Sequence, residues 1–406
     1  MAIPSLAMIP SGYKDGKVYS VLPANGDGDF DFSRGSNATR VNKDGLIETV
    51  TGDTPRLDYT DSSCPSLLLE PQRSNKVTYS EDFSNAAWTK DNVAITENST
   101  ISPDGTLNAS LILSTNSNTR ISDAIAVSNT FYVSVFVKYI DQQFIQIYSG
   151  VSGSYYINFD VKNKLYQGGS LVSEVKFEDY GNGWLRLGAK FSGAGTASST
   201  IKLGFSQSLT STYGNSGGNT SSGSSIYVWG FQLEDDANYP TSYIPTSGSI
   251  ATRLADECNN GGNADTFNDS EGVLYAEIAA LDETQGTSVL TISGSSLSNR
   301  LLIAFVSGEI RGEFISGGGT ITRNASEVFI ENFNKIACSY TSNTFKVFVN
   351  GLQVGTTGTV TTAMLGIAEL AFDRGDSAND FYGNVKDVRV YNTALTDEEL
   401  AELTKV

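Results

Sequence analysis

The stretch Phe131-Tyr-Val-Ser-Val-Phe-Val-Lys-Tyr139 decides the fold class. Its side chains alternate with a period of two: Phe and Val form one face, whereas Tyr, Ser, Phe and Lys form the other. Successive side chains of a β-strand point to opposite faces, so the pattern predicts a half-buried strand. The stretches 155–161, 184–191 and 226–233 repeat this period, with a Gly-Asn-Gly turn at 181–183. We therefore expect an antiparallel β-sandwich in the middle of the chain.

The alternation restarts near Gly272, which predicts a second β domain. Within it, the stretch 345–354 indicates two short strands joined by Asn350-Gly351, the residue pair that supplies the positive φ values of a type I′ hairpin turn. One helix is expected near the C-terminus, because Thr396 and Glu399 form a Thr-x-x-Glu capping box.

The composition excludes several kinds of chemistry. The 406 residues include no histidine, and 27 Lys+Arg against 45 Asp+Glu give a net charge of −18. Without imidazole, Ser-His-Asp hydrolases and HExxH zinc hydrolases are excluded. The sequence contains no basic cluster, so nucleic acid and anionic membrane surfaces are not expected partners. No apolar run approaches the roughly 18 residues of a membrane span, so no membrane insertion is expected.

The first 78 residues have a different texture, with Gly/Asp-rich turns, several prolines and no sustained period. Such a segment predicts an extended arm that is ordered by neighbouring subunits or by a partner surface. The alternative is a set of short strands added to the next domain. The expected protein is all-β: an N-terminal extended arm at 1–78, followed by two antiparallel β-sandwich (jelly-roll) domains at 79–255 and 256–406.

Three blocks of motifs follow one another along the chain. They are Ile9–Pro23, Phe30–Arg34, Ala38–Val41, Asp44–Ile47 and Pro65–Arg73; then Tyr79–Phe83, Trp88, Gly181–Trp184, Gln232–Glu234 and Tyr243–Thr246; then Phe345–Gly351, Phe381–Gly383, Val388–Tyr391 and Leu395–Leu403. The first block resembles the opening of tailed-bacteriophage structural proteins of the fibre and decoration type. The second is similar to carbohydrate-binding-module-like jelly rolls, and the third resembles a laminin-G or concanavalin A-like lectin domain.

The resemblance implies a component of the virion, on its head or tail, whose N-terminal arm binds other virion proteins. A homotrimer is favoured by analogy with fibres. The lectin-like domains would bind host-surface glycans through individually weak contacts that multivalency strengthens. A purely structural cement or adaptor protein of the capsid or tail is one alternative, and a polysaccharide depolymerase is a second.

Catalysis is not expected. Concanavalin A-like folds also include glycanases with a Glu-x-Asp-x-(x)-Glu strand, because two carboxyl groups must flank the glycosidic bond. In this sequence Glu234-Asp235-Asp236 begins such a pattern but lacks the third acid. A solvated acidic turn at the end of a strand is the favoured interpretation of these residues.

Sugar binding requires exposed aromatic rings beside hydrogen-bonding side chains. Tyr155, Tyr156 and Tyr213 are the candidates, because they lie on or near loops rich in Ser, Asn and Gly. Trp184 and Trp229 lie within alternating strands and are expected in the core.

The stretch Asp373-Arg-Gly-Asp376-Ser-Ala-Asn-Asp380 is the candidate metal site. Lectin-like sandwiches of the family that this block resembles often hold calcium or ligand in loops at one rim. The resemblance therefore implies Asp373, Asp376 and Asp380 as candidate ligands, and calcium is the one cofactor suggested. A Gly turn capped by Asp side chains is the alternative interpretation, and the favoured one.

Overall fold

The computed structural model describes residues 2–150, 155–193, 197–212, 222–294 and 297–406. Across these ranges the regular secondary structure is β-strand, apart from the short helix α1 (Asp397–Leu403). The predicted all-β fold class is therefore confirmed. Within the same ranges, no helix is both long and apolar enough to cross a membrane.

The strands in the first part of the chain are short, whereas those of the middle and C-terminal parts are long. The first are β1 (Leu6–Met8), β2 (Tyr13–Lys14), β3 (Lys17–Val18), β4 (Phe30–Ser33), β5 (Ala38–Val41), β6 (Ile47–Val50), β7 (Leu57–Asp58), β8 (Ser66–Leu69) and β9 (Arg73–Asn75). The next are β10 (Thr89–Asp91), β11 (Val93–Ile101), β12 (Leu107–Ser114), β13 (Arg120–Val127), β14 (Thr130–Tyr139), β15 (Phe144–Ser149), β16 (Tyr156–Asp160), β17 (Leu165–Gly168), β18 (Val172–Asp179), β19 (Trp184–Ser192), β20 (Ala197–Ser206), β21 (Ser225–Asp235) and β22 (Ala251–Arg253). The last are β23 (Glu257–Asn259), β24 (Gly272–Ala280), β25 (Ser288–Gly294), β26 (Asn299–Val306), β27 (Glu309–Ser316), β28 (Gly319–Ala325), β29 (Asn334–Tyr340), β30 (Thr344–Val349), β31 (Leu352–Gln353), β32 (Gly358–Thr359), β33 (Ile367–Ala371) and β34 (Gly383–Tyr391).

The chain divides into two compact units. Unit 1 contains Met1–Asn37, Val50–Pro71 and Leu254–Val406, and unit 2 contains Ala38–Thr49 and Gln72–Arg253. The predicted domain boundary at 255/256 lies close to the point where the chain passes for the last time from unit 2 to unit 1, between Arg253 and Leu254. The segment predicted as an arm, 1–78, is instead divided between both units.

Unit 2 is a β-sandwich. One sheet has the order β11-β12-β21-β14-β19-β18, with β9 and β22 at its side, and we call it the β14 sheet. The other, the β15 sheet, has the order β10-β13-β20-β15-β16-β17. The pairings among these strands are antiparallel. The predicted apolar face of β14, formed by Phe131, Val133, Val135 and Val137, lies in the core between the sheets.

The opposite face of β14 is also largely buried, unlike the half-buried strand that its pattern predicts. Phe136 points away from the main core and is 0% exposed. It belongs to a second cluster with Val41 and Ile47 of the β5–β6 hairpin, and with Ala109, Trp184, Trp229 and Tyr243. Residues remote in sequence thus bury the second face, and a local period of two carries no information about them.

Unit 1 contains a second sandwich. Its larger sheet has the order β31-β30-β29-β24-β34-β8-β7, with β1 beside β34 and β32 beside β30. The facing sheet has the order β28-β27-β26-β25-β33, and a smaller sheet has the order β2-β3-β4-β23. Side chains from all three sheets form one core. The predicted Asn-Gly hairpin is confirmed, because Asn350 and Gly351 have φ values of 50° and 86° between the paired strands β30 and β31.

Most of the N-terminal segment is built into unit 1 as strands. β1 and β8 each pair with β34, and β4 pairs with β23. The side chains of Leu6, Met8, Leu67 and Leu69 are at most 1% exposed and contribute to the unit 1 core. In place of a separate extended arm, the structure therefore has short strands added to a neighbouring sandwich, because these leucines and this methionine gain free energy by burial there.

A buried ionic network joins three parts of unit 1. Arg34 Nη1 lies 3.0 Å from Asp256 Oδ1, and the Arg56 guanidinium contacts both Asp256 and Glu70. The side chains of all four residues are at most 3% exposed. Burial opposes the charge of Arg56, but the carboxylates of Asp256 and Glu70 outweigh it and raise the pKa of Arg56. The backbone N–H of Glu70 also donates to Asp256 Oδ2 at 2.8 Å.

The helix α1 ends the fold as predicted. Thr396 accepts a hydrogen bond from the Glu399 backbone N–H, and the Glu399 side chain accepts one from the Thr396 backbone N–H. Leu400 and Leu403 are buried in a cluster with Tyr275 and Phe348.

The Asp256→Asn variant is expected to be strongly destabilised. The substitution leaves two buried arginines facing a single carboxylate, and breaking a buried ion pair costs about 3–5 kcal/mol. The free energy of unfolding, measured by chemical denaturation with far-UV circular dichroism, tests this. Lys17→Met is the control, because the Lys17–Asp31 pair is 37% and 50% exposed and such pairs contribute about 1 kcal/mol or less. Equal effects of the two substitutions would contradict the importance of the network.

Candidate functional site

Tyr155 belongs to the core of unit 2. It is 1% exposed, its hydroxyl donates to the Ser192 carbonyl at 2.9 Å, and its ring stacks on Phe191 with centroids 6.4 Å apart. Burial raises the pKa of Tyr155. The residue therefore offers no ring face to a sugar, and its candidate role is corrected. The main core reaches further along the chain than the turn-rich sequence around Tyr155 indicates.

Tyr156 is half-buried and lies on the β15 sheet directly opposite Tyr148. The Lys202 ammonium lies 5.1 Å from the centre of the Tyr148 ring. Beside this pair is a pocket of only ≈ 10 Å³, which has room for about one water molecule. This pocket is therefore too small for a sugar ring. The third predicted tyrosine, Tyr213, lies outside the described residues.

Two side chains of the β15 sheet, Gln146 and Asn158, bind the backbone of a neighbouring loop, residues 209–212. Gln146 and Asn158 are both 0% exposed. Gln146 Nε2 donates to the Thr212 carbonyl at 3.0 Å. Asn158 Nδ2 donates to the carbonyls of Leu209 and Ser211 at 2.9 and 2.7 Å. Their amides therefore bind the backbone of residues 209–212.

The three aspartates proposed as calcium ligands have separate hydrogen-bond partners. The Asp373 carboxylate accepts from the Gly375 backbone N–H, Asp376 accepts from Arg374 Nε at 3.0 Å, and the Tyr382 hydroxyl donates to Asp380 at 3.0 Å. Among the described residues, no group of three acidic, cysteine or histidine side chains could hold a metal ion. The three carboxylates are therefore not gathered into one group in the described part of the chain. Their arrangement matches the alternative, a Gly turn capped by an Asp side chain.

The local electrostatics of this turn differ between neighbouring carboxylates. Burial raises the pKa of Asp373, and the negative charge of Asp380 adds to the effect, against a hydrogen bond from the Gly375 N–H. The hydrogen bond and positive charge of Arg374 lower the pKa of Asp376. The surroundings of Asp373 thus disfavour its ionised form, whereas those of Asp376 favour it.

The acidic residues considered for catalysis serve the fold of unit 2. Glu234 is 0% exposed and accepts hydrogen bonds from the backbone N–H and the hydroxyl of Thr241. Asp235 accepts from the Ser128 backbone N–H at 3.0 Å. The interpretation of Glu234 as part of a solvated turn is therefore corrected: its carboxylate anchors residue 241 to the end of β21.

A larger cleft lies elsewhere in unit 2. Its volume is ≈ 440 Å³, within the range of about 300–1,000 Å³ typical of small-molecule sites. It is lined by Leu46, Thr100, Ile101, Ser102, Pro103, Lys138, Tyr180, Asn182 and Trp184. We call it the Tyr180 cleft.

The predicted Gly-Asn-Gly turn builds one wall of the Tyr180 cleft. Gly181, Asn182 and Gly183 have φ values of 74°, 51° and 80°, which glycine and asparagine adopt most readily. The turn closes with the Trp184 N–H donating to the Gly181 carbonyl at 2.9 Å. It places the exposed side chain of Asn182 at the rim, between Tyr180 and Trp184 in sequence.

The opposite wall comes from the hairpin of β11 and β12. Trp184 Nε1 donates to the Ile101 carbonyl at 3.0 Å, which ties the two walls together. Tyr180 packs edge-on against Phe136, with ring centroids 4.9 Å apart, and is half-buried. Ile101 is 58% exposed. The cleft thus combines apolar surface and a tyrosine ring with the ammonium of Lys138 and the Asn182 amide.

This combination suits a ligand with both apolar and hydroxyl-bearing faces, because C–H groups pack on rings while hydroxyls bond to amides and charged groups. The motif Gly181–Trp184 signals one wall in the sequence. No local pattern connects it to Ile101, which lies about eighty residues earlier.

Comparison with known proteins identifies part of unit 1. Residues 277–401 match the model of the concanavalin A-like lectin/glucanases superfamily. The predicted lectin-like domain is confirmed for these residues, which are less than half of the chain. No curated protein is similar enough in sequence to count as a match.

Solved structures with distant similarity include a carbohydrate-binding module, a trans-sialidase and the receptor binding domain of a toxin. The CBM40 module of the Ruminococcus gnavus IT-sialidase, bound to α2,3-sialyllactose, shares 18% identity with a TM-score of 0.30 over 34% of this chain and 84% of that chain. A leech intramolecular trans-sialidase shares 21% with a TM-score of 0.29, over 34% of this chain and 24% of that chain. The receptor binding domain of a botulinum neurotoxin C/D mosaic serotype shares 10% sequence identity with a TM-score of 0.30, over 37% of this chain and 40% of that chain. At such TM-scores these similarities do not bear on function.

The Asp373→Asn variant is expected to be more stable than the wild type at pH 7. A carboxyl whose pKa is raised in the folded state favours folding at low pH, and this contribution is lost as the pH rises above its ordinary value of 3.8. Asparagine keeps an acceptor oxygen for the Gly375 N–H without the charge. Thermal denaturation at pH 7 and pH 3 should show a gain at pH 7 that shrinks at pH 3.

Asp376→Asn is the matched control and should change stability in the opposite direction. Its lowered pKa means that the ionised form favours folding above the ordinary pKa, so the variant should lose stability at pH 7 and little at pH 3. A calcium-dependent rise in the wild-type melting temperature that Asp373→Asn abolishes would contradict this account of the turn.

Proposed function

We propose that this protein is a non-enzymatic structural protein of a tailed-bacteriophage virion that binds a host-surface glycan. The Tyr180 cleft is the observation that carries the glycan-binding part, because it offers a ligand-sized cavity with a tyrosine ring, apolar surface and hydrogen-bonding groups. The lectin/glucanase superfamily match at 277–401 supports the same general role. The virion part rests on the sequence motifs of the first 73 residues.

The attachment surface that we propose is the N-terminal segment. Its apolar side chains Ile3, Ile9, Tyr19 and Val21 are 82%, 40%, 36% and 42% exposed. Exposed apolar side chains gathered in one part of a protein indicate an interface with another protein. We propose that this segment contacts other virion proteins and that the protein assembles as a trimer. Several copies would then engage one cell surface, and multivalency would raise the effective affinity of individually weak sites.

Binding is favoured over hydrolysis by the chemistry of the Tyr180 cleft. Glycosidases of the usual kind place two carboxyl groups on either side of the scissile bond. Among the described residues that line this cleft there is no Asp or Glu. The nearest match to a glycanase motif, Glu234, already binds Thr241.

Tyr180→Ala is expected to weaken binding of host-surface polysaccharide by about tenfold, because it removes the aromatic wall of the cleft. A glycan array followed by equilibrium titration with the purified full chain provides the measurement. Asn182→Gly should also weaken binding, and it preserves the fold because glycine tolerates the φ of 51° at this position.

Tyr166→Ala is the matched control, since Tyr166 is 54% exposed and does not line the cleft. Its affinity should equal that of the wild type. Equal losses in the Tyr180 and Tyr166 variants would contradict the assignment of the cleft. Absence of any binding at millimolar site concentrations would contradict glycan binding as a whole, and failure of immunogold labelling to detect the protein on phage particles would contradict the virion role.

A further inference from the structure

Unit 2 contains a second depression with a different chemistry from the Tyr180 cleft. It has a volume of ≈ 250 Å³ and is lined by Glu81, Asp82, Glu97, Asn98, Asn108 and Ser110. We call it the acidic pocket. Its lining includes three carboxylates, two amides and a hydroxyl, and no lysine or arginine among the described residues.

Two oxygens at the acidic pocket are buried without a hydrogen-bond partner. They are Ser110 Oγ and Asn108 Oδ1. Ser110 is 1% exposed. Buried polar groups in proteins almost always have partners, and leaving one without a partner is unfavourable. A ligand that donates hydrogen bonds into the pocket would remove this cost.

The carboxylates around these oxygens are held in place. Glu81 accepts from the Tyr243 hydroxyl at 2.9 Å and from Asn108 Nδ2 at 3.3 Å. Burial raises the pKa of Glu81. The Asn85 backbone N–H donates to Asp82 at 2.9 Å. Burial opposes the ionisation of Asp82, but hydrogen bonds from Ser84 and Asn85 outweigh it and lower its pKa. Glu97 is exposed at the mouth of the pocket.

We propose that the acidic pocket binds the ammonium group of an amino sugar within the glycan that this protein recognises. The proposal rests on the proposed glycan-binding function and specifies the class of sugar. An ammonium group has three donors and no acceptor, so it complements carboxylates together with unpartnered amide and hydroxyl oxygens. Sugar hydroxyls can donate to the remaining acceptors.

Two other classes of ligand fit less well. A metal ion would need a closely grouped set of anionic ligands, and the described residues contain no group of three such side chains that could hold one. The volume is also far larger than a single ion requires. An acidic sugar would place its carboxylate against three carboxylates, with no lysine or arginine among the described lining residues, which is electrostatically unfavourable.

The test compares oligomers of glucosamine with oligomers of N-acetylglucosamine, which share the same ring but differ in the charge of the nitrogen substituent. Calorimetric titration of the full chain should show at least tenfold tighter binding of the glucosamine oligomer. Glu97→Gln and Ser110→Ala should each reduce this preference by about tenfold or more. Ser110→Ala is informative because losing an unpartnered hydroxyl should not destabilise the fold.

Asp44→Asn is the matched charge control. Asp44 is exposed in unit 2 and does not line the acidic pocket, so this variant shows how much of the binding is general attraction to a protein with a net charge of −18. Its preference should equal that of the wild type. No preference for glucosamine oligomers, or an equal loss in Asp44→Asn and Glu97→Gln, would overturn the proposal. Calcium binding that displaces the oligomer and is lost in Glu97→Gln would also overturn it, in favour of a metal site.

The experiments distinguish a failure of the proposed host recognition from a failure of the assignment of the acidic pocket. If host polysaccharide does not bind but the glucosamine preference and its loss in Ser110→Ala are observed, the acidic pocket is retained and the role in host recognition is rejected. If host polysaccharide binds through Tyr180 but glucosamine oligomers show no preference, only the assignment of the acidic pocket is rejected.

Discussion

The buried contacts of Asp256 with Arg34 and Arg56 are the constraint on which unit 1 depends. Ionised side chains are costly to bury, and each is tolerated here only because the others lie against it. Arg34, Arg56 with Glu70, and Asp256 come from three distant parts of the chain. The N-terminal segment must therefore fold together with the start of the C-terminal region, and β1 and β8 then take their places beside β34.

Local patterns predicted local structure well. The Asn350-Gly351 turn and the Thr396 capping box each depend on interactions between residues close in sequence, and both are present in the structure. The alternation in β14 correctly predicted a strand, although its partners β19 and β21 lie far away in sequence. The N-terminal segment was harder to predict, because its short strands are stabilised by β34 and by remote ionic partners. Its many turns resemble those of an extended arm when considered alone.

The candidate sites, too, could not be predicted where they depend on residues remote in sequence. Tyr155 lies in a turn-rich stretch, yet its ring lies in the core and its hydroxyl donates a hydrogen bond to the Ser192 carbonyl. The Gly-Asn-Gly turn was evident, but the Tyr180 cleft exists only because Trp184 bonds to Ile101 on another hairpin. Composition was informative about chemistry: a chain without histidine excludes imidazole-based catalysis wherever the site lies.

Amide hydrogen exchange of the full chain, with and without host-surface polysaccharide, tests whether the Tyr180 cleft binds the glycan. Bound ligand slows exchange where it stabilises backbone hydrogen bonds against local opening. We expect slower exchange at residues 100–103 and 180–184, the two walls of the Tyr180 cleft, when the polysaccharide is bound. Unchanged exchange throughout the chain, or slower exchange confined to peptides outside unit 2, would contradict it.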